Sequence, residues 1–338
     1  MGEIDKPYID DERLRELLAT SMHGELKYTL MNDFLAKYSL QNDLFALKGL
    51  LAALLNLELD EIYRIEILNP ITPGEYIQDK DCILDIKLEL NNHSIINIEI
   101  QTKFQAYWAE RSLLYLCRNF DHLKEGESYK QLKPCVQIGI LDNRIFFRDD
   151  PRYTDELYSE YRMLNVKTHT EYTGKFSIRV LSLKNIENAS EEDKKDPNGV
   201  YWWAKLFASR SWEELKMVAE KNERMKSFVG TVRQLSAEER VAQVCEARRR
   251  YLSDVATLKE CLEDTTKKLE EESERAKRES ERAKRESERA KRESERAKCE
   301  SEKAKHESDR AKQAEDKVKQ AEEEILRLRQ QLEQLKQS

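Results

Sequence analysis

Two stretches of strict period-two alternation, residues 83–90 and 95–101, constrain the fold of this chain more than anything else in it. In the first, Leu84, Ile86, Leu88 and Leu90 alternate with Asp85, Lys87 and Glu89; in the second, Ile96, Ile98 and Ile100 alternate with Asn97, Glu99 and Gln101. Such a pattern marks strands with one apolar and one polar face. Asn91-Asn92-His93-Ser94 between them is turn chemistry, so the pair reads as a hairpin. Register decides what the polar face can do, because a slip of one residue turns every side chain over. A loop with an odd number of residues, such as Asn91-Asn92-His93, sends the aliphatic residues to one face and sets Asp85 opposite Glu99. Two carboxylates converging there can hold a hard divalent cation such as Mg²⁺ (or Mn²⁺). That cation can activate water and stabilise charge on a phosphate. The alternation alone is also met by an ordinary strand surface with no chemistry.

Asp85 followed one strand later by Glu99-Ile100-Gln101 resembles the core of the PD-(D/E)xK nuclease superfamily, with Gln101 where lysine usually stands. The form Ile98-Glu99-Ile100-Gln101 is similar to the PD-(D/E)xK nuclease family transposases, or Rpn-type recombination-promoting nucleases. Asn32-Asp33-Phe34 with the helical run to Leu57, Lys80-Asp81 before Leu84-Asp85-Ile86, Arg111 with Tyr115, Phe176 to Lys184, and Tyr201-Trp202-Trp203 follow in the order of that family. The resemblance implies an α/β (α+β) restriction-endonuclease-like core, a mixed sheet flanked by helices. It also implies a Mg²⁺-dependent DNA endonuclease in which Asp85 and Glu99 bind the metal, the Ile100 carbonyl adds a ligand and Gln101 positions the attacking water. Glutamine carries no charge and is no base at neutral pH, so a catalytically inactive DNA-binding module is the alternative. Lys87 shares the Asp85 face and either stands in for the missing lysine or is a surface residue. Arg111 and Tyr115, one helical turn apart, either contact phosphate or brace their helix on the sheet. Trp202 and Trp203 read as core anchors.

The order of parts predicts an N-terminal arm over residues 1–31, peripheral and helical near 11–18, and a nuclease-like domain over 32–234. Leu44, Phe45, Leu47, Leu50, Leu51, Leu54 and Leu55 give the segment 41–57 the spacing of a helix with a broad apolar face. A second helix is expected from about Phe104 to Phe120, a doubly buried strand over 136–141, and another strand over 176–183. The net charge of −7 announces no global nucleic-acid field, though Arg144, Arg148 and Arg152 could line a local cationic groove. Six cysteines without metal-ligand spacing, no signal-peptide core and no membrane-length apolar run point to the cytoplasm.

A third part, residues 235–338, reads as one long helix. Ser236-Ala237-Glu238-Glu239 has the form of a capping box at its start. From Glu272 the heptad Glu-Ser-Glu-Arg-Ala-Lys-Arg recurs, and one register runs unbroken through the tail. Its a positions are Val255, Leu262, Leu269, then Ala276 to Ala311, then Val318, Ile325 and Leu332; its d positions are Leu258, Thr265, Glu272 to Glu307, Ala314, Ala321, Leu328 and Leu335. The ends are therefore coiled-coil competent, and the middle carries glutamates at d. Homo-oligomerisation through the two ends, with a splayed charged middle, is the expectation, and a coiled-coil assembly protein is a further alternative function.

Overall fold

The computed structural model describes residues 3–19, 23–71, 73, 85–101, 107–146 and 149–336, with side chains to 330. Lys80, Asp81, Leu84, Phe104 and Arg148, named above, and the cysteine Cys82 lie outside them. The hairpin is formed by β2 and β3, after an edge strand β1 (Ile65–Ile67); β2 spans Ile86–Leu90 and β3 spans Ser94–Gln101. They pair antiparallel with Leu90 opposite Ser94 and Ile86 opposite Ile98, which leaves the odd loop Asn91-Asn92-His93. Asn91 and Asn92 both have φ of 55°, and the His93 N–H donates to the Leu90 carbonyl at 2.9 Å. A tight hairpin turn needs that pair of positive φ angles, and asparagine tolerates them better than most residues.

Beyond β3 the sheet continues with β4 (Cys135–Leu141), β5 (Tyr158–Arg162) and β6 (Phe176–Ser182), in the spatial order β1-β2-β3-β4-β6-β5. The central pairs β3–β4 and β4–β6 are parallel, and the outer ones are antiparallel, so the sheet is mixed as expected. The short edge strands β1 and β5 carry no clear alternation in the sequence, and it does not reveal them.

The described α-helices are α1 (Asp11–Ala19), α2 (Asp33–Asn42), α3 (Leu44–Leu55), α4 (Trp108–Phe120), α5 (Glu191–Lys195), α6 (Val200–Ala208), α7 (Trp212–Ala219), α8 (Glu223–Ala237) and α9 (Glu239–Lys336). The main core joins Ile86, Leu88, Ile96, Ile98, Ile138 and Leu181 of the sheet to Phe34, Leu47, Leu51, Trp203 and Phe228 of the helices. Trp203 is fully buried, and the Trp202 indole N–H donates to the Lys194 carbonyl at 3.1 Å, so both serve as anchors. The N-terminal segment is packed rather than peripheral: Ile4, Ile9 and Leu14 are buried, and Leu14 fills the space left by the missing side chain of Gly230.

Two expectations about helix ends change. The leucine-rich run forms one helix, but it starts at Leu44 rather than residue 41, because Asp43 ends α2 and caps α3. Its Oδ1 accepts from the Ala46 N–H at 2.9 Å, while Oδ2 accepts from Ser227 at 2.7 Å and Thr231 at 2.9 Å, both on α8. Nor does Ser236 begin the long helix. Burial of Val232 and Leu235 carries α8 past it, its hydroxyl donates to the Arg233 carbonyl, and the chain breaks at Glu238 (φ −70, ψ 128) before α9 starts at Glu239.

The chain forms two units, Met1–Asp254 and Val255–Ser338. The first turns of α9 belong to the first unit, burying Val241, Val244 and Cys245 and pairing Arg248 with Asp33. Among the described residues no helix is long and apolar enough to cross a membrane.

Asp43→Ala removes a helix cap and leaves the Ser227 hydroxyl without its acceptor in the core, whereas Thr231 keeps the Ser227 carbonyl at 3.0 Å. A cap contributes about 1 kcal/mol and a stranded buried hydroxyl costs about 1–3 kcal/mol. The expected loss of unfolding free energy is about 2–4 kcal/mol, measured by urea denaturation.

Candidate active site

On the second face of the sheet, Asn97, Glu99 and Gln101 of β3 lie beside Gln137, Gly139 and Leu141 of β4. The β2–β3 register carried one residue further sets Asp85, just ahead of β2, across from Glu99. This face is not open to solvent. Helix α4 lies over it, with Leu116 packed on Ile95 and Cys135 toward one end, and Trp108 packed on Leu141 and Val180 toward the other. A Cβ on Gly139 would come within 2.3 Å of the Trp108 ring, so glycine there is what lets the indole settle on the sheet. Between the two apolar clusters runs a buried polar strip: Asp85 is 7% exposed, Asn97 5%, Glu99 1% and Gln137 fully buried.

The strip is tied together from several elements. Asn97 Nδ2 donates to Asp85 Oδ2 at 3.2 Å and to Gln137 Oε1 at 3.0 Å. The Asp85 carbonyl accepts from Lys37 Nζ at 2.6 Å and from Asn69 Nδ2 at 2.8 Å. Lys37 comes from α2 and is fully buried. Arg111 of α4 places Nη2 3.1 Å from Glu99 Oε1, and its guanidinium lies over the Tyr115 ring with its centre 5.0 Å from the centroid. Arg111 and Tyr115 therefore do brace the helix on the sheet, with Glu99 as the third partner.

The carboxylates feel this burial. Desolvation, reinforced by the charge of Asp85, raises the Glu99 pKa from 4.5 to about 7, against the pull of Arg111 and the Trp108 indole N–H. Desolvation also raises the Asp85 pKa, opposed by Asn97, Arg111 and Lys37, while the charge of Asp33 adds to the rise. Lys87 sits on the Asp85 face as expected, but its charge acts on the Cys135 thiol; the lysine felt by Asp85 is Lys37. Gln101 ends β3 on the same face, opposite Leu141. Of the proposed cationic groove, Arg152 is committed to Asp150 and packs on Phe146, while Arg144 lies over Tyr153.

Among the described residues, no donor stands in hydrogen-bond geometry to either buried oxygen of Glu99, and Arg111 reaches Oε1 only as an ion pair. Such atoms are costly unless something is bound to them. Paired with Asp85 they form a hard-oxygen donor set that suits a divalent cation. Among the described residues no cluster of three or more His, Cys, Asp or Glu side chains stands ready for a metal, so the remaining ligands would be water, carbonyl or substrate oxygen.

Sequence reasoning missed Lys37, Asn69, Gln137, Trp108 and Gly139. Lysine inside an apolar helix, and Gln137 and Gly139 two apart in an apolar strand, were the available signals.

The profile of the PD-(D/E)XK nuclease family transposases matches residues 31–262, and the chain belongs to that family. Searches of curated proteins and of solved structures returned no match. Nucleases of this superfamily generally use divalent metal ions.

A titration follows from the Glu99 environment. The folded pKa lies above the unfolded one, so protonation favours folding. That contribution is full below about pH 4.5 and is lost as pH rises through about 7, roughly 3 kcal/mol in all. Without divalent cations, wild-type stability should fall over that window relative to Glu99→Gln, measured by urea denaturation at a series of pH values.

Proposed function

We propose that the protein is a Mg²⁺-dependent DNA endonuclease that hydrolyses phosphodiester bonds. The observation that carries this reading is the buried pair Asp85 and Glu99 on neighbouring antiparallel segments, with neither Glu99 oxygen in hydrogen-bond geometry to a donor among the described residues. These two side chains would hold the cation, with the Ile100 carbonyl as a further ligand; when bound, it supplies Lewis-acid stabilisation of a phosphate and a more acidic water. Asn97 orients the Asp85 carboxylate, and Lys37 and Asn69 fix its backbone. Gln101 aims the attacking water through its amide, since it cannot remove a proton. Arg111 is 31% exposed at its side chain, so its guanidinium can turn from Glu99 toward a phosphate while Tyr115 keeps the stem in place. The thiols of Cys117, Cys135, Cys245, Cys261 and Cys299 are free, which fits a reducing cytoplasm.

A second reading is a nuclease fold kept as a DNA-binding module. The Arg111–Glu99 ion pair favours it, because a guanidinium already neutralises one of the two carboxylates.

Plasmid cleavage separates them. With Mg²⁺ or Mn²⁺, Asp85→Ala and Glu99→Ala should each lose cleavage by at least about 100-fold while keeping the wild-type circular dichroism spectrum. Wild-type cutting by both variants removes the site assignment. DNA binding without cutting in the parent protein supports the second reading.

Gln101→Lys introduces a cation beside the phosphate, and cleavage should persist or rise; Gln101→Ala should cost less than Asp85→Ala. A dead Gln101→Lys with unchanged Mn²⁺ affinity would assign glutamine a specific orienting role.

A further inference from the structure

The second unit, residues 255–338, is helical throughout its described length, with no cover over its apolar side chains. Leu262 and Leu269 are each 67% exposed, Ile325 is 53% and Leu328 is 55%. These residues lie on one heptad stripe, so they need a partner whose stripe has the same length and the complementary order of charges.

A second copy supplies that stripe only in one direction. The d column from Glu272 to Glu307 is acidic, the g column from Lys268 through Arg275, Arg282, Arg289 and Arg296 to Lys317 is basic, and the e column from Ser273 to Ser308 is serine. In a parallel pair, d faces d and g faces e. Glutamate then meets glutamate in six successive layers while the g column meets serine. Like charges buried across a seam are strongly disfavoured. In an antiparallel pair, a faces d and g faces g. Each d glutamate then lies opposite an alanine or valine, on the side where the basic g columns of both chains converge. The isolated helix already pairs Arg282 with Glu286 at 3.7 Å and Arg289 with Glu293 at 3.3 Å, so these glutamates enter the seam neutralised. On the other side the alanines and serines let the backbones approach closely.

We infer that the tail associates with a second copy of itself in antiparallel register, along its whole length rather than at its ends alone. The register that matches both ends stacks Leu262 on Leu328 of the second copy, Leu269 on its Ala321, Ile325 on its Thr265, and Ala290 on its Glu300. The apolar start of one tail thereby covers the apolar end of the other.

Disulfide trapping in the full-length chain tests both direction and register. Cys82, Cys117, Cys261 and Cys299 are replaced by serine, and Leu262→Cys and Leu328→Cys are made separately in that background. Mixed under a glutathione redox buffer, the two variants should form the 262–328 disulfide between chains, whereas neither alone should link to itself. A 262–262 or 328–328 link, or a dimer without the 262–328 link, overturns the proposal. Sedimentation equilibrium of the unaltered protein provides an independent check. It should be dimeric at micromolar concentration, and Leu262→Asp, which changes a side chain exposed in the isolated chain, should weaken the dimer at least tenfold. A monomeric wild type, or a Leu262→Asp variant that dimerises like wild type, also overturns it.

Discussion

The chemistry of the globular unit depends on the register of one hairpin, and that register depends on three residues. Asn91 and Asn92 take the positive φ angles that let Leu90 and Ser94 pair across an odd loop. Asn91 also ties the turn to the edge of the sheet: its Oδ1 accepts from the N–H groups of Tyr63 and Arg64, and its Nδ2 donates to the Glu61 carbonyl. One residue more or fewer in the loop would place Asp85 and Glu99 on opposite faces and would send an aliphatic row away from the core. Core packing and carboxylate placement are thus consequences of the same turn.

Placing two acids on a sheet is inexpensive when that face meets water. Here α4 covers the face, and desolvation dominates both side chains. The fold compensates with neutral amides and cations brought from four separate elements: Asn97 and Gln137 in the strands, Lys37 from α2, Arg111 from α4. The compensation at Glu99 rests on the Arg111 ion pair, since among the described residues neither of its oxygens has a donor in hydrogen-bond geometry. A site left short of positive charge favours an added cation, while Arg111 occupies part of the same space. That competition bears on Gln101 as well. A lysine at that position would add a third cation, after Lys37 and Arg111, beside the buried acids; an amide leaves the electrostatic demand in place.

The tail follows different physics. Its charged heptads make enough local i,i+4 pairs, such as Arg278 with Glu274, for a solvated helix to persist without a core. Packing decides almost nothing within it, so its sequence is free to encode direction and partner through charge order. The globular unit works the other way, since its polar groups matter through what is folded on top of them.

What the sequence determined by itself is whatever depends on near neighbours. The alternation of 83–90 and 95–101, the odd loop, the doubly buried strand containing Ile138, the tryptophan anchors and the tail's heptads all follow from local period and turn chemistry. So do the family resemblance and the pairing of Asp85 with Glu99 across the hairpin. Tertiary structure alone decided the rest. It turned an outer strand face into a buried strip by laying α4 across it, joined Lys37 to Asp85 over 48 residues of chain, and used Asp43 to bind α3 to α8 across 184. It also carried α8 past Ser236 because Val232 and Leu235 had a core to enter. In each case a side chain's role was set by a residue distant in the chain, and periodicity, which sees only the next turn or the next strand residue, carries no information about that partner.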